Sequence, residues 1–557
     1  MRLESGTGLT MSPAKEALAA LESYFGHGAF RAGQEAIVAA VLGGRDVLAV
    51  MPTGSGKSIG YQLPAVMLPG VTLVVSPLIS LMKDQVDELN RRGILSGALH
   101  SMASVDSRSE VERAVKAGHL RLLYVAPERF ASHQFLQLLG ALEVARFIVD
   151  EAHCVSEWGH DFRPDYRRLR AAAAVCRRSD GHPGRPPIAA FTATATPEVR
   201  DDIAALLGLS HPQVLVAGFD RPNIFLRVER LGESIDKNVL LPGLVRGRRA
   251  LVYAATRKSA EAAAAHLAGA GLVAAAYHAG LPDQERTRVQ DGFAKGSLRV
   301  VCATNAFGMG IDRPDVDAIV HYAIPGSIEA YYQEIGRAGR DGRPATATLL
   351  WDDADVATRE FLIDSPRRDK PGQRAAPPDE QETTRRKELE HRRLQRMIAY
   401  ADTSSCLRAT ILQYFGETGA AEQCPSCGNC RPDALDAYER DLVRKLLAGI
   451  VRAGERYGRS RVANMLLGTP DESATALGRV STFGLLGHET SDSLHSWMSA
   501  CMSAGLIATS SDQYRTLRLT DQGRAFMQGR LQDAPIERPS VDHHLARRFP
   551  ERRMRRL

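Results

Sequence analysis

Two tandem α/β domains, each built on a parallel sheet, then a cysteine-bearing helical subdomain and a winged-helix domain: this is the architecture the sequence predicts. Three observations predict it. Short apolar runs alternate with helical stretches twice over, first from about residue 15 to 215 and again after residue 219. Four cysteines gather between 406 and 430. Beyond them, apolar residues at helical spacing give way to two short strand patterns around a turn.

The totals fit that plan. The chain has 557 residues, enough for three or four domains, and its 44% hydrophobic and 24% charged content suits globular cores. Its most apolar stretch, Leu63 to Val75, is broken by Pro64, Pro69 and Gly70, so no segment is expected to cross a bilayer. The N-terminus lacks an apolar core of the kind that directs secretion. Net charge is +6, and +4 of it lies beyond Ala534, where seven Arg face only Glu537, Asp542 and Glu551. A basic arm that meets phosphates and a solvated tail both fit that composition.

In the first domain, placed at 12–218, the strand candidates are Asp46–Met51, Thr72–Ser76, Leu120–Val125, Phe147–Val149 and Ile188–Phe191. Thr53, Gly54, Ser55, Gly56, Lys57 and Ser58 follow the first strand and precede a helix. Glycines there let backbone N–H groups converge on phosphate, and the helix start adds its positive end. Lys57 would reach the β- and γ-phosphates of a nucleotide, and Ser58 would ligate magnesium. The strict loop pattern has Gly where this chain has Met51. Asp150 and Glu151 end the Phe147–Val149 strand. Asp150 would hold the magnesium, and Glu151 would orient or activate the attacking water. His153, Thr192 and Thr194 are candidates for linking this site to the rest of the domain.

The second domain, placed at 219–363, has strand candidates Ala250–Tyr253, Val273–Tyr277, Leu298–Val301, Ala318–Tyr322 and Ala345–Leu350. It carries Gln333-Glu334-Ile335-Gly336-Arg337-Ala338-Gly339-Arg340. Arg337 and Arg340 reach a γ-phosphate only if the two domains close on each other, which would turn hydrolysis into motion.

Residues 364–386, polar and Pro-rich, are expected to be a linker. The subdomain at 387–433 holds Cys406, Cys424, Cys427 and Cys430; the last three form C-x2-C-x2-C. Four thiolates make a closed, structural zinc site. Spacing alone leaves an iron–sulfur cluster as the alternative. Cys154, Cys176, Cys302 and Cys501 are read as ordinary buried residues. In the last domain, 434–533, Leu442 to Val451 and Leu494 to Met502 repeat at helical spacing. Leu506–Thr509 and Thr516–Leu519 then form a hairpin. Trp497 falls on the helical core face. Residues 534–557 are the basic tail.

These motifs together resemble the RecQ family of superfamily-two DNA helicases, from Leu21 to about Phe526. Phe25-Gly26-His27-Gly28-Ala29-Phe30-Arg31-Ala32-Gly33-Gln34 resembles the family's adenine-sensing motif, which implies nucleotide-binding roles for His27, Arg31 and Gln34. An aromatic residue often stands where this chain has His27. Ser76 to Gln85 resembles a strand-contacting motif. Ser156 to Tyr166 resembles the aromatic-rich loop that couples DNA contact to hydrolysis, which assigns Trp158, His160, Phe162 and Arg163 to DNA. The chemistry is compatible: the rings can stack on unpaired bases and Arg163 can answer phosphate. Phe219–Asn223, Tyr277–Gly280 and Ala303–Pro314 also match family motifs.

The resemblance implies two RecA-like domains, a zinc-binding subdomain and a winged helix that grips duplex DNA with a strand-parting hairpin. Tyr514 lies near that hairpin's tip and is either a base-pair contact or an exposed turn aromatic. Many relatives carry a further helical domain (HRDC), for which too few residues follow Phe526. The expected activity is ATP-dependent, 3′ to 5′ unwinding of duplex or branched DNA in recombination and repair, with ATP, Mg2+ and Zn2+. Expected partners are single-stranded and duplex DNA and a single-stranded-DNA-binding protein. The chain is expected to act as a monomer in the cytoplasm, at the nucleoid in a bacterium. An RNA-directed motor of the Asp-Glu-Ala-His type and an annealing protein with an idle motor are the alternatives.

Overall fold

The computed structural model describes residues 13–52, 54–159, 161–231, 236–305, 307, 313–365, 380–431, 435–470, 472–510, 515–531, 534 and 536. Thr53, His160, Tyr514, half of the Ala303–Pro314 motif and nearly all of the basic tail lie outside them.

The first lobe is built on strands β1 (Val47–Val50), β2 (Val71–Val75), β3 (Ser96–Leu99), β4 (Leu122–Val125), β5 (Glu143–Val149), β6 (Arg177–Arg178), β7 (Ile188–Thr192) and β8 (Gln213–Val216). They form a sheet in the order β3-β4-β2-β5-β7-β1-β8, with β6 beside β5, and every pairing is parallel. Central strands of such a sheet are covered on both faces and read as unbroken apolar runs. Alternate residues still serve different cores: Leu48 and Val50 face one with Phe147 and Val149, while Val47 and Ala49 face the other with Ile148 and Phe191. Because β7 lies between β1 and β5, three loops meet at adjacent strand ends: that after Val50, that after Val149 and that after Thr192.

The second lobe repeats the plan with β9 (Ile224–Arg230), β10 (Ala250–Tyr253), β11 (Ala274–Tyr277), β12 (Val300–Ala303), β13 (Ala318–His321) and β14 (Ala345–Trp351). Their order is β11-β12-β10-β13-β14-β9, again parallel throughout. The Ile328–Ile335 helix follows β13 and ends just before Arg337.

A charged helix, Glu380–Ala401, and a shorter one, Leu407–Tyr414, carry the cysteine subdomain. It docks onto the open edge of the second sheet: Leu226 N donates to Ser426 O at 3.1 Å, and Gly428 N donates to Leu226 O at 2.8 Å. The last domain has its own core, centred on Leu446, Leu447, Leu494, Met498 and Leu517. Trp497 is buried in it, as its helical spacing predicts. Strands β15 (Ile507–Thr509) and β16 (Leu517–Leu519) pair antiparallel after the helices, the order of a winged helix. Among the described residues no helix is long and apolar enough to cross a membrane.

Candidate active site

The loop after β1 turns on two glycines in the left-handed region, Gly54 at φ 83° and Gly56 at φ 80°. It is held from outside by the preceding segment. Gln34 Nε2 donates to Ser55 O at 3.1 Å and to Gly56 O at 3.0 Å. Arg31 donates to Gly54 O at 2.8 Å, and its own N–H is tied to Gln34 Oε1 at 2.8 Å. Two of the three residues in the Phe25–Gln34 motif thus reach the loop's main chain, while His27 is exposed. Ser58 sits at the head of the Ile59–Met67 helix.

Lys57 Nζ lies 3.2 Å from Glu151 Oε1, so the loop and the carboxylate pair face each other. Glu151 is one of the few non-glycine residues at positive φ, 47°. Such backbone costs energy and persists where neighbours fix it. Asp150 is buried, and burial together with the adjacent Glu151 carboxylate pushes its pKa up to about 6, against the pull of Lys57.

From here a polar chain crosses to the other lobe. His153 Nδ1 is 3.4 Å from Glu151 Oε2 and 2.9 Å from Thr192 Oγ1. Thr194 N donates to Thr192 Oγ1 at 3.2 Å, and Gln333 Nε2 donates to Thr194 Oγ1 at 3.2 Å. The second lobe also touches the loop directly. A Cβ placed on Gly54 would lie 3.2 Å from Arg340 Cγ, so the Arg340 stem rests against the phosphate-loop backbone. Arg337 lies close enough to Tyr253 for its charge to favour the ionised phenol, against the burial that raises that group's pKa, and Tyr253 donates to Phe307 O at 3.1 Å.

The aromatic-rich loop is wired to the same strand end. Tyr166 donates its hydroxyl to Asp150 O at 3.0 Å. Arg163 is turned inward, to Asp161 at 3.0 Å and to Pro77 O at 3.1 Å. Phe162 packs under the Arg167 guanidinium at 5.0 Å. Trp158, 36% exposed, lies 5.5 Å from the Arg392 guanidinium of the cysteine subdomain's long helix.

Cys406, Cys424, Cys427 and Cys430 present their Sγ atoms within 4.8 Å of one another, and Cys406 and Cys427 are 3.9 Å apart. Tetrahedral zinc with Zn–S of ~2.3 Å places its sulfurs ~3.8 Å apart, so the set fits that ion. Ala409 N and Cys424 N point at Cys406 Sγ and Cys430 Sγ at 3.5 and 3.4 Å, contacts suited to thiolates. Cys154, Cys176, Cys302 and Cys501 are buried singly.

Some contacts at this site are not readable from residue types. Arg221 donates to the carbonyls of Gly336, Ala338 and Gly339. Arg408 pairs with Asp220 across 188 residues. Only the unusual Asp-Arg-Pro-Asn run marks the first in the sequence.

Known proteins match this chain along most of its length. It matches the DEAD/DEAH box helicase family over residues 31–203, the helicase conserved C-terminal domain over 236–342, the RecQ zinc-binding family over 353–431 and the RQC domain over 439–539. The "ATP-dependent DNA helicase RecQ" of Bacillus subtilis (strain 168) is 37% identical over 526 residues, covering 93% of this chain and 84% of that protein. The protein of the same name from Haemophilus influenzae is 35% identical over 526 residues, covering 94% and 80%. Among solved structures, the DUF1998 helicase MrfA bound to DNA and AMPPNP aligns with a TM-score of 0.50 and 20% identity, over 64% of this chain and 54% of that one. That likeness is one of fold.

Proposed function

The chain belongs to the RecQ family of ATP-dependent DNA helicases, and we propose that it moves 3′ to 5′ along single-stranded DNA and parts duplex or branched DNA during recombination and repair. The observation that carries this reading is the unbroken contact path from Lys57 through Glu151, His153, Thr192 and Thr194 to Gln333. It joins a phosphate loop in one lobe to the arginine-bearing helix end of the other, as a motor driven by closure needs.

In this reading Thr53, Gly54, Ser55, Gly56 and Lys57 cradle the phosphates, and His27, Arg31 and Gln34 face the base. Ser58 and Asp150 hold magnesium, which neutralises charge on the β- and γ-phosphates when bound. Glu151 orients the water and accepts its proton; its fixed left-handed backbone aims the carboxylate. Arg340 and Arg337 meet the charge that builds on the transferred phosphoryl group. Trp158, Phe162 and Arg163 contact single-stranded DNA. Strand engagement that moves Arg163 off Pro77 shifts the loop that carries Tyr166, and with it the Asp150 main chain. Zinc on Cys406, Cys424, Cys427 and Cys430 is structural, because a four-thiolate shell leaves no open position.

The test is ATP hydrolysis with and without single-stranded DNA, beside a Glu151→Gln control. DNA stimulation that the control loses is the expected result. Equal stimulation by RNA, or none by either, would overturn the reading.

A further inference from the structure

We propose that Arg221, in the connector between the lobes, is a positioning residue that fixes the turn carrying Arg337 and Arg340. The proposal rests on the motor reading above, in which those arginines meet the transferred phosphoryl group.

The last carbonyls of a helix have no partners within it. Behind the Ile328–Ile335 helix the carbonyls of Tyr332, Glu334 and Ile335 accept from the N–H groups of Gly336, Arg337 and Ala338, and the connector supplies donors to the carbonyls of the turn itself, from Gly336 to Gly339. Arg221 Nη1 donates to Gly336 O at 3.2 Å, and Nη2 donates to Ala338 O at 2.9 Å and Gly339 O at 3.1 Å. Asn223 Nδ2 adds bonds to Gly339 O and Arg343 O, both at 2.9 Å. Gly339 is at φ 55°, and a Cβ there would run into Asn223 and the Arg343 carbonyl. The held carbonyls flank Arg337 and directly precede Arg340, so the origin of both side chains is set by the guanidinium fork of Arg221. Burial lowers the Arg221 pKa, which marks these donors as removed from water.

The connector is itself braced on its far side. Arg408 pairs with Asp220 and donates to Ile224 O at 2.6 Å and Ser426 Oγ at 2.9 Å; Ser426 lies between Cys424 and Cys427. The Phe219 ring stacks on Phe415 at 4.5 Å with 10° between planes, and Tyr332 donates to Phe219 O at 2.8 Å. A connector clamped to the cysteine platform gives Arg221 a fixed base. The turn it holds is the one whose Arg340 stem lies against Gly54 of the other lobe.

The experiment uses the full chain with Arg221→Gln, Arg221→Lys, Arg340→Ala and the double variant Arg221→Gln/Arg340→Ala. It measures kcat and KM for ATP at saturating single-stranded DNA, and the affinities for ADP and for ADP–aluminium fluoride, which mimics the transferring phosphoryl group. Arg221→Gln is expected to lower kcat about 100-fold, the cost of a ~1 Å misplacement, with KM for ATP and ADP affinity within about twofold. Binding of ADP–aluminium fluoride should weaken by a similar factor. Arg221→Lys should recover part of the loss, and Arg221→Gln should add little in the Arg340→Ala background. Wild-type turnover in Arg221→Gln, a matching loss of ADP affinity, or losses that multiply fully with Arg340→Ala would overturn the proposal. If Arg221→Gln does not fold, Arg221→Lys, which keeps the charge but not the fork, carries the same comparisons. A wild-type chain without DNA-stimulated hydrolysis would instead overturn the motor reading and this proposal with it.

Discussion

Gly56 shows how narrowly single residues are specified at the nucleotide loop. Its φ of 80° is unfavourable for any residue with a Cβ, and a Cβ there would lie 2.5 Å from Gln34 Nε2. Gly56→Ala therefore strains the turn and displaces the Gln34 amide that holds Ser55 and Gly56. A left-handed backbone costs a non-glycine residue ~1–2 kcal/mol, so KM for ATP should rise about tenfold. Binding of single-stranded DNA in the absence of nucleotide should be unchanged; steady-state kinetics and a DNA-binding titration check both. Glu151 bears the same kind of backbone without being glycine. The Asp-Glu pair is visible in the sequence, but that strain is not.

The helix Ala437–Arg452 shows a second device, at the scale of an element. Asp436 caps it, and Glu439 completes the box by accepting from Asp436 N at 2.7 Å. Asp436 also takes the buried Arg248 of the second lobe at 2.7 Å, and that guanidinium lies 4.3 Å from the Tyr438 ring. One helix start thus anchors the winged helix to the motor. Burial, then the Asp436 carboxylate, push the Glu439 pKa from 4.5 up to about 7, against Arg227 and Arg248. A raised carboxylate pKa means that the folded state holds the proton more tightly. The stability it contributes is complete below pH 4.5 and is lost as pH rises through about 7. The loss is at most about 3 kcal/mol. Glu439→Gln keeps an acceptor for Asp436 N but cannot ionise. Urea unfolding at pH 5 and pH 8 should show a smaller difference for this variant than for the wild type; an equal difference would show that Glu439 is not the group responsible.

For the molecule as a whole, the cysteine subdomain has the widest reach. It extends the second sheet at Leu226 and clamps the inter-lobe connector through Arg408, Phe415 and Glu417. Zinc removal by a chelator, or Cys427→Ser, should lower the melting temperature on the order of 10 °C, with stability falling before turnover by the protein that stays folded. An unchanged melting curve would refute a structural role for the metal. The ten strands predicted in the two lobes are all present, with ends shifted by a few residues at most sites and by four at β5. The strands not foreseen have physical reasons. Ser96–Leu99 contains Ser and Gly, Gln213–Val216 is a half-exposed edge strand, and Ile224–Arg230 ends in charges that pair across the cysteine subdomain boundary. Their apolar signal is weak because small, polar or charged residues interrupt or bound each run.

What the sequence determined by itself was local chemistry. Gly-Ser-Gly-Lys-Ser after an apolar run, Asp-Glu at a strand end and C-x2-C-x2-C each state their geometry within a few residues, because turn preferences and short spacings act over that range. The tertiary structure alone decided which of these pieces meet. It set β7 between β1 and β5, brought Cys406 to Cys427, joined Gln333 to Thr194 and laid Arg221 against the carbonyls of Gly336, Ala338 and Gly339. The last two contacts span more than 100 residues of chain. Such pairings follow from sheet order and packing of the lobes, which no local pattern encodes.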